Sequence, residues 1–84
     1  MRNDPIKSSI KQFILEEFLP GERAEALTDD TPLVTEGVLD SIATLRLVSF
    51  LEKQFNVSLA AHEVDAEYLN TLPSIAALVR SKLR

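Results

Sequence analysis

The sequence predicts an all-α protein: an irregular four-helix bundle of three long helices and one short one, with a long loop between helices 1 and 2. Two observations lead there. Three segments repeat apolar residues at spacings of three and four, the signature of one helical face. Each of the three opens on residues that start helices.

The first segment is "NDPIKSSIKQFILEEFLPG". Asp4 is placed to cap, and Pro5 suits a first turn, where its missing N–H costs nothing. Ile6, Ile10, Phe13, Ile14 and Phe18 share a face, and Pro20-Gly21 stops the helix. From Gly21 to Asp40 no period is sustained. A loop this long in so small a protein is either regular structure that the pattern hides or a functional segment. Leu27, Leu33, Val38 and Leu39 are spaced so as to pin it across the core, with a short helical turn near Arg23–Leu27. Ser41–Phe55 is the second long helix. Ile42, Leu45, Leu47, Val48, Leu51 and Phe55 cover more than half its circumference, which predicts neighbours on several sides. Its outward positions are Ala43, Arg46, Phe50 and Lys53; Phe50 there either anchors an interface or tucks under a neighbouring element that the helical wheel ignores. "NVSLAAHEVDAEYL" predicts an extended stretch, then a short helix around His62–Tyr68. The last helix has Thr71 as cap, Pro73 in its first turn, and Ile75, Leu78, Val79 and Leu83 inward. Arg80, Lys82 and Arg84 gather at its C-terminal end, where the helix dipole favours cations.

Eighty-four residues suffice for one domain, 1–84, whose large apolar residues must share a single core. A net charge of −4 opposes binding to a phosphate backbone, so no nucleic-acid partner is expected. No apolar run is long enough to span a membrane and no signal peptide is visible, so a cytoplasmic protein without a membrane partner is expected. The chain has no cysteine. Any thiol chemistry must therefore come from a non-protein group, and one histidine alone makes no ordinary zinc site.

The stretch "GVLDSIATL" (Gly37–Leu45) sets a polar pair between apolar residues where loop gives way to helix. Asp and Ser commonly cap helices, so plain capping is the first explanation. Thr44 stands where a capping box would need Glu or Gln, so Asp40 can cap and leave the Ser41 hydroxyl free. A catalytic serine needs a base and an oxyanion pocket. His62 is the sole imidazole and no glycine-rich elbow surrounds Ser41, so no catalytic residue is expected. Asp29–Asp40 fails as a calcium loop, because Leu33 and Val34 fall where an oxygen ligand and a glycine are required. A third role is a handle. A hydroxyl at a helix N-terminus suits an attached phosphate, and Leu39 and Ile42 give it an apolar footing.

The string "LTDDTPLVTEGVLDSIATLRLVSFLEKQFNVSL", followed by "YLNTLPSIAALV", resembles the phosphopantetheine carrier proteins: acyl carriers and the related aminoacyl and peptidyl carriers. The resemblance covers nearly the whole chain. It implies that Ser41 receives 4'-phosphopantetheine from coenzyme A through a phosphopantetheinyl transferase, with Asp40 as its acidic neighbour. The arm's thiol would carry a thioester loaded by an acyl or aminoacyl ligase or transferase and passed to downstream biosynthetic enzymes. It implies arm or cargo contacts at Leu39, Asp40, Ile42, Tyr68 and Leu69, and partner docking at Val38, Ala43, Arg46, Phe50 and Lys53. Fatty-acid-synthesis carriers typically present a strongly acidic second helix. Arg46 and Lys53 depart from that pattern and would repel a basic partner. The expectation is a monomeric, stand-alone carrier of a dedicated pathway that catalyses nothing itself. The alternatives are a fatty-acid-synthesis carrier, or a helical adaptor in which Ser41 merely caps.

Overall fold

The computed structural model describes residues 5–21 and 23–83, and their regular structure is entirely helical. In chain order come α1 (Pro5–Phe18), a 3₁₀ turn (Ala24–Ala26), α2 (Ser41–Phe55), a second 3₁₀ turn (Ala61–Glu63), α3 (Ala66–Leu69) and α4 (Leu72–Lys82). This is the expected irregular bundle, with one long loop between α1 and α2. The expected Asp4 cap and the terminal Arg84 lie outside the described residues.

Local chemistry sets most of the boundaries. Gly21, at φ +88°, takes the chain off α1 in a conformation that favours glycine. Asn56 ends α2 in left-handed backbone, donating its N–H to the Glu52 carbonyl. Thr71 caps α4 by accepting from the Ser74 N–H at 3.3 Å. The short helix expected around His62–Tyr68 is instead divided. Asp65 stands in extended backbone (φ −153°, ψ 179°) and caps α3 by accepting from Glu67 N–H. That break leaves a 3₁₀ turn before it and one helical turn after it.

The core is shared by all four helices and the long loop. α1 buries Ile10 and Ile14 and packs chiefly on α4, which buries Leu72, Ile75, Ala76, Leu78 and Val79. The loop adds Leu27, Leu33 and Leu39, all buried, so it is pinned across the bundle as its apolar spacing predicts. Leu83 departs from expectation. It follows the last turn of α4 in extended backbone, leaves the inward stripe and is 40% exposed.

α2 corrects the sequence reading most. Only Ala43, Leu47 and Leu51 are buried along it, a narrow stripe at spacings of four. Ile42 and Leu45, expected inside, are 67% and 65% exposed. A helical wheel records which residues are apolar; it does not record where neighbours stand. α2 has neighbours on one side; Val48 and Phe55 at the edge of its apolar arc are half-buried, and Ile42 and Leu45 are left uncovered.

Phe50, on an outward position of the wheel, is half-buried because it tucks against α1. The chain's four phenylalanines form one run of ring contacts between α1 and α2. Phe13 and Phe50 stack at 4.1 Å between centroids, with Phe18 and Phe55 edge-on at either end. Such pairs add about 0.5–1.5 kcal/mol each beyond the area they bury.

Glu63 joins the second 3₁₀ turn to the end of α4. Its carboxylate accepts from Lys82 Nζ at 2.8 Å and from the Ala60 N–H at 2.8 Å. The Lys82 hydrogen bond, aided by the Ala60 N–H, holds this carboxyl below its ordinary value of 4.5.

Two measurements follow. In urea denaturation, Leu51→Ala costs about 2–5 kcal/mol, because a fully buried side chain leaves a cavity, and Phe55→Ala costs less than a fully buried ring would. Glu63 has a lowered folded-state pKa, so its contribution is present above the unfolded value of 4.5 and fades as pH falls through the folded one. Glu63→Gln is therefore less stable than wild type near neutral pH, and the two converge in acid. A gap that persists well below pH 4.5 assigns the effect to packing rather than charge.

Candidate functional site

The site is built at the start of α2. Asp40 sits in extended backbone (φ −78°, ψ −171°), and its Oδ1 accepts from the Ala43 N–H at 2.8 Å. Its carbonyl accepts from the Thr44 N–H, also at 2.8 Å. Asp40 is thus the cap, and Ser41 is released from that duty. Ser41 is exposed, and its hydroxyl has no hydrogen-bond partner among the described residues. The first N–H groups of a helix have no intrahelical acceptors, and the dipole places positive potential there. An anion attached at Ser41 Oγ meets favourable electrostatics.

The loop before it is held by two devices. Asn70, between α3 and α4, reaches the loop with its side chain: Oδ1 accepts from Val34 N–H at 2.8 Å and from Thr35 N–H at 3.1 Å. Its backbone carbonyl accepts from Leu33 N–H at 2.6 Å. The Leu33 carbonyl in turn accepts from Leu39 N–H at 3.0 Å, closing residues 33–39 into a compact turn. Gly37, at φ +84°, makes that turn and presents its N–H to the Val34 carbonyl.

Ser41 opens onto a groove of about 650 Å³ between the loop, α2 and α3. Its apolar wall includes Val34, Leu39, Leu45, Val64, Ala66 and Leu69, and Asp40, Thr44 and Asp65 are its polar members. Of the residues expected at the arm, Leu39, Asp40 and Leu69 line this groove. Leu39 and Leu69 are themselves buried, so they offer wall rather than reach. Tyr68 does not line it: one helical step turns Tyr68 away from the face that Ala66 and Leu69 share, and it packs half-buried against the core. Ile42 points to the other side of α2.

The expected docking residues fall into two adjoining depressions on that side. Val38, Ala43 and Arg46 line the first with Glu36 and Glu17; Arg46, Phe50 and Lys53 line the second with Phe13, Ile42 and Leu45. Two corrections apply. Ala43 is 6% exposed and forms floor, because it belongs to the buried stripe of α2. Phe50 is held in the ring stack and offers only part of its surface. Arg46 lies 3.7 Å from Glu17 of α1, an exposed pair of little energetic weight. Glu52, counted among the few acidic residues near this face, accepts from the Leu59 N–H at 2.9 Å and serves the chain's own backbone. His62 is exposed on the second 3₁₀ turn and lines none of these surfaces with Ser41.

Sequence reasoning missed Asn70, and with it Val34, Thr44, Val64, Asp65 and Ala66 as groove lining. No signal in the "LNT" string marks Asn70, because its side-chain acceptor is spent on donors 35 and 36 residues away.

The chain is similar to known proteins over most of its length. The family described as "Phosphopantetheine attachment site" matches residues 14–80. The chain is 33% identical over 75 residues to "Probable acyl carrier protein PigG" from Serratia sp., covering 89% of this chain and 85% of that protein. It is 43% identical over 53 residues to "D-alanyl carrier protein" from Lactococcus lactis, covering 63% of this chain and 67% of the relative.

The division of labour between the two polar residues is measurable. Asp40→Ala costs about 0.5–2 kcal/mol of stability through the lost cap, whereas Ser41→Ala stays within about 0.5 kcal/mol of wild type. Equal costs in chemical denaturation would show that the serine shares the capping.

Proposed function

The chain belongs to the phosphopantetheine attachment-site family, and we propose that Ser41 is where it bears its arm. The observation that carries this reading is the exposed Ser41 hydroxyl at the start of α2, without a hydrogen-bond partner among the described residues, with Asp40 doing the capping beside it. The residues fit the group. An oxygen open to solvent can reach a modifying enzyme, the helix N-terminus favours the phosphodiester charge, and an apolar groove lies alongside. In the attachment step the Ser41 oxygen forms the new phosphoester bond, the pyrophosphate bond of coenzyme A breaks, and its nucleotide half leaves. The serine proton passes to a base on the transferase. Once attached, the arm supplies the thiol that this cysteine-free chain lacks.

The family's domain carries rather than catalyses, and this chain is read the same way. Its own residues position the tether and present surfaces. Leu39, Leu45 and Leu69 offer the tether an apolar wall, and Ile42, Val38, Arg46 and Lys53 face partner enzymes. Those partners are of the transferase and ligase classes, followed by the enzymes that consume the cargo. Tethering raises the cargo's effective concentration at each of them. One relative is named as an acyl carrier and another as a D-alanyl carrier, which favours a carrier serving one pathway over general fatty-acid synthesis. Cations at positions 46 and 53 support the same choice. The core draws on all four helices without division, which supports one carrier domain over residues 1–84.

Incubation with a promiscuous phosphopantetheinyl transferase and coenzyme A tests the reading by intact mass. Wild type gains one phosphopantetheinyl group and Ser41→Ala gains none. A folded wild type that stays unmodified would favour the adaptor reading.

A further inference from the structure

We propose that Asn70 is a positioning residue for the modification of Ser41: its carboxamide oxygen fixes the loop that delivers this serine to the enzyme acting on it. The proposal rests on the assignment of Ser41 as the attachment point. Local bonds from the Gly37 and Leu39 N–H groups and the buried Leu33 and Leu39 shape residues 33–39, but they leave the N–H groups of Leu33, Val34 and Thr35 to be met from elsewhere. The loop has no regular structure of its own, and Gly37 adds conformational freedom. Its shape depends on a residue far along the chain. Asn70 Oδ1 takes two successive loop donors, Val34 N–H and Thr35 N–H, and the Asn70 carbonyl takes a third from Leu33. Leu33 then holds Leu39 through its own carbonyl, and Leu39 adjoins Asp40 and Ser41. Three consecutive amides fastened at one point define where the turn begins. The Leu33–Leu39 bond defines where it ends, two residues before the serine.

Two features separate this from ordinary scaffolding. The bonds run to backbone N–H groups of a loop, not between packed helices. The anchoring residue also lies between α3 and α4, outside α2. The orientation of the amide follows from the donors it meets: two N–H groups require its oxygen. Aspartate at this position can therefore substitute, and a residue without a side-chain acceptor cannot.

The kinetic consequence is specific. Loosening the loop lowers the fraction of carrier molecules whose surface matches the transferase. Apparent affinity falls by that fraction, while the bound complex reacts as before. Loss of the side-chain bonds, with Val34 and Thr35 left to water, should raise KM for the carrier about tenfold with kcat nearly unchanged.

The experiment is a kinetic comparison of wild type, Asn70→Ala and Asn70→Asp with a phosphopantetheinyl transferase and coenzyme A. It is run at a temperature where circular dichroism shows each protein folded. Amide hydrogen exchange is measured on the unmodified proteins. Support consists of a raised KM with preserved kcat in Asn70→Ala, near-wild-type values in Asn70→Asp, and slow wild-type exchange at Val34 and Thr35 that becomes fast in Asn70→Ala. An Asn70→Ala protein with wild-type KM, or an Asn70→Asp protein as impaired as Asn70→Ala, overturns the proposal. If Asn70→Ala does not fold, wild-type exchange at Val34 and Thr35 decides: random-coil rates there overturn the proposal, and protection matched by wild-type kinetics in Asn70→Asp supports it. A wild type that accepts no phosphopantetheine would instead refute the assignment of Ser41, a distinct result.

Discussion

Three backbone N–H groups, at Leu33, Val34 and Thr35, meet one asparagine, and the geometry around Ser41 depends on that meeting. A loop of roughly twenty residues is a burden on a small protein, since its polar backbone needs partners and its ordering costs entropy. The chain meets both demands at few points. Leu27, Leu33 and Leu39 sink into the core and supply apolar burial; Asn70 satisfies amides beside the middle one. The loop is consequently an ordered wall that ends at the first turn of α2.

α2 is the other half of the arrangement. It holds to the bundle by a narrow stripe and by the ring stack between Phe13 and Phe50, which fastens α1 to α2 at the exposed edge. That economy leaves Ile42 and Leu45 in solvent, neighbours on the face of α2 turned away from the stripe. Exposed large apolar residues on a helix are ordinary singly, but two on one helix, close to an open hydroxyl, form a surface suited to brief encounters. Under the proposed function, the charged rim of Arg46, Lys53 and Glu17 gives such encounters selectivity more than strength. Weak contacts of this kind suit a protein that must release each partner after each transfer.

The groove beside Ser41 and the depressions on the far side of α2 divide the work of a carrier spatially. Under the proposed function, the apolar wall of the one side serves the tether and the side chains of the other serve partner enzymes. The helix N-terminus lies at the boundary, so one residue can face the groove while its neighbour, Ile42, faces away. The separation follows from helical stepping: consecutive residues at the first turn point in different directions.

The helices α1, α2 and α4, their caps at Asp40 and Thr71, and the pinning of the loop by its leucines were all determined by the sequence alone, because each follows from short-range periodicity or from local hydrogen bonding. The open serine was legible for the same reason: with Asp40 able to cap, Ser41 had no local duty. Tertiary structure alone decided which apolar residues of α2 are covered, where Tyr68 and Leu83 face, and that Phe50 stacks on Phe13. Those outcomes depend on where neighbouring elements stand, which a helical wheel does not contain. Asn70 belongs with them. Its partners lie 35 and 36 residues away, and no local pattern announces a side chain whose acceptor is spent on a distant loop.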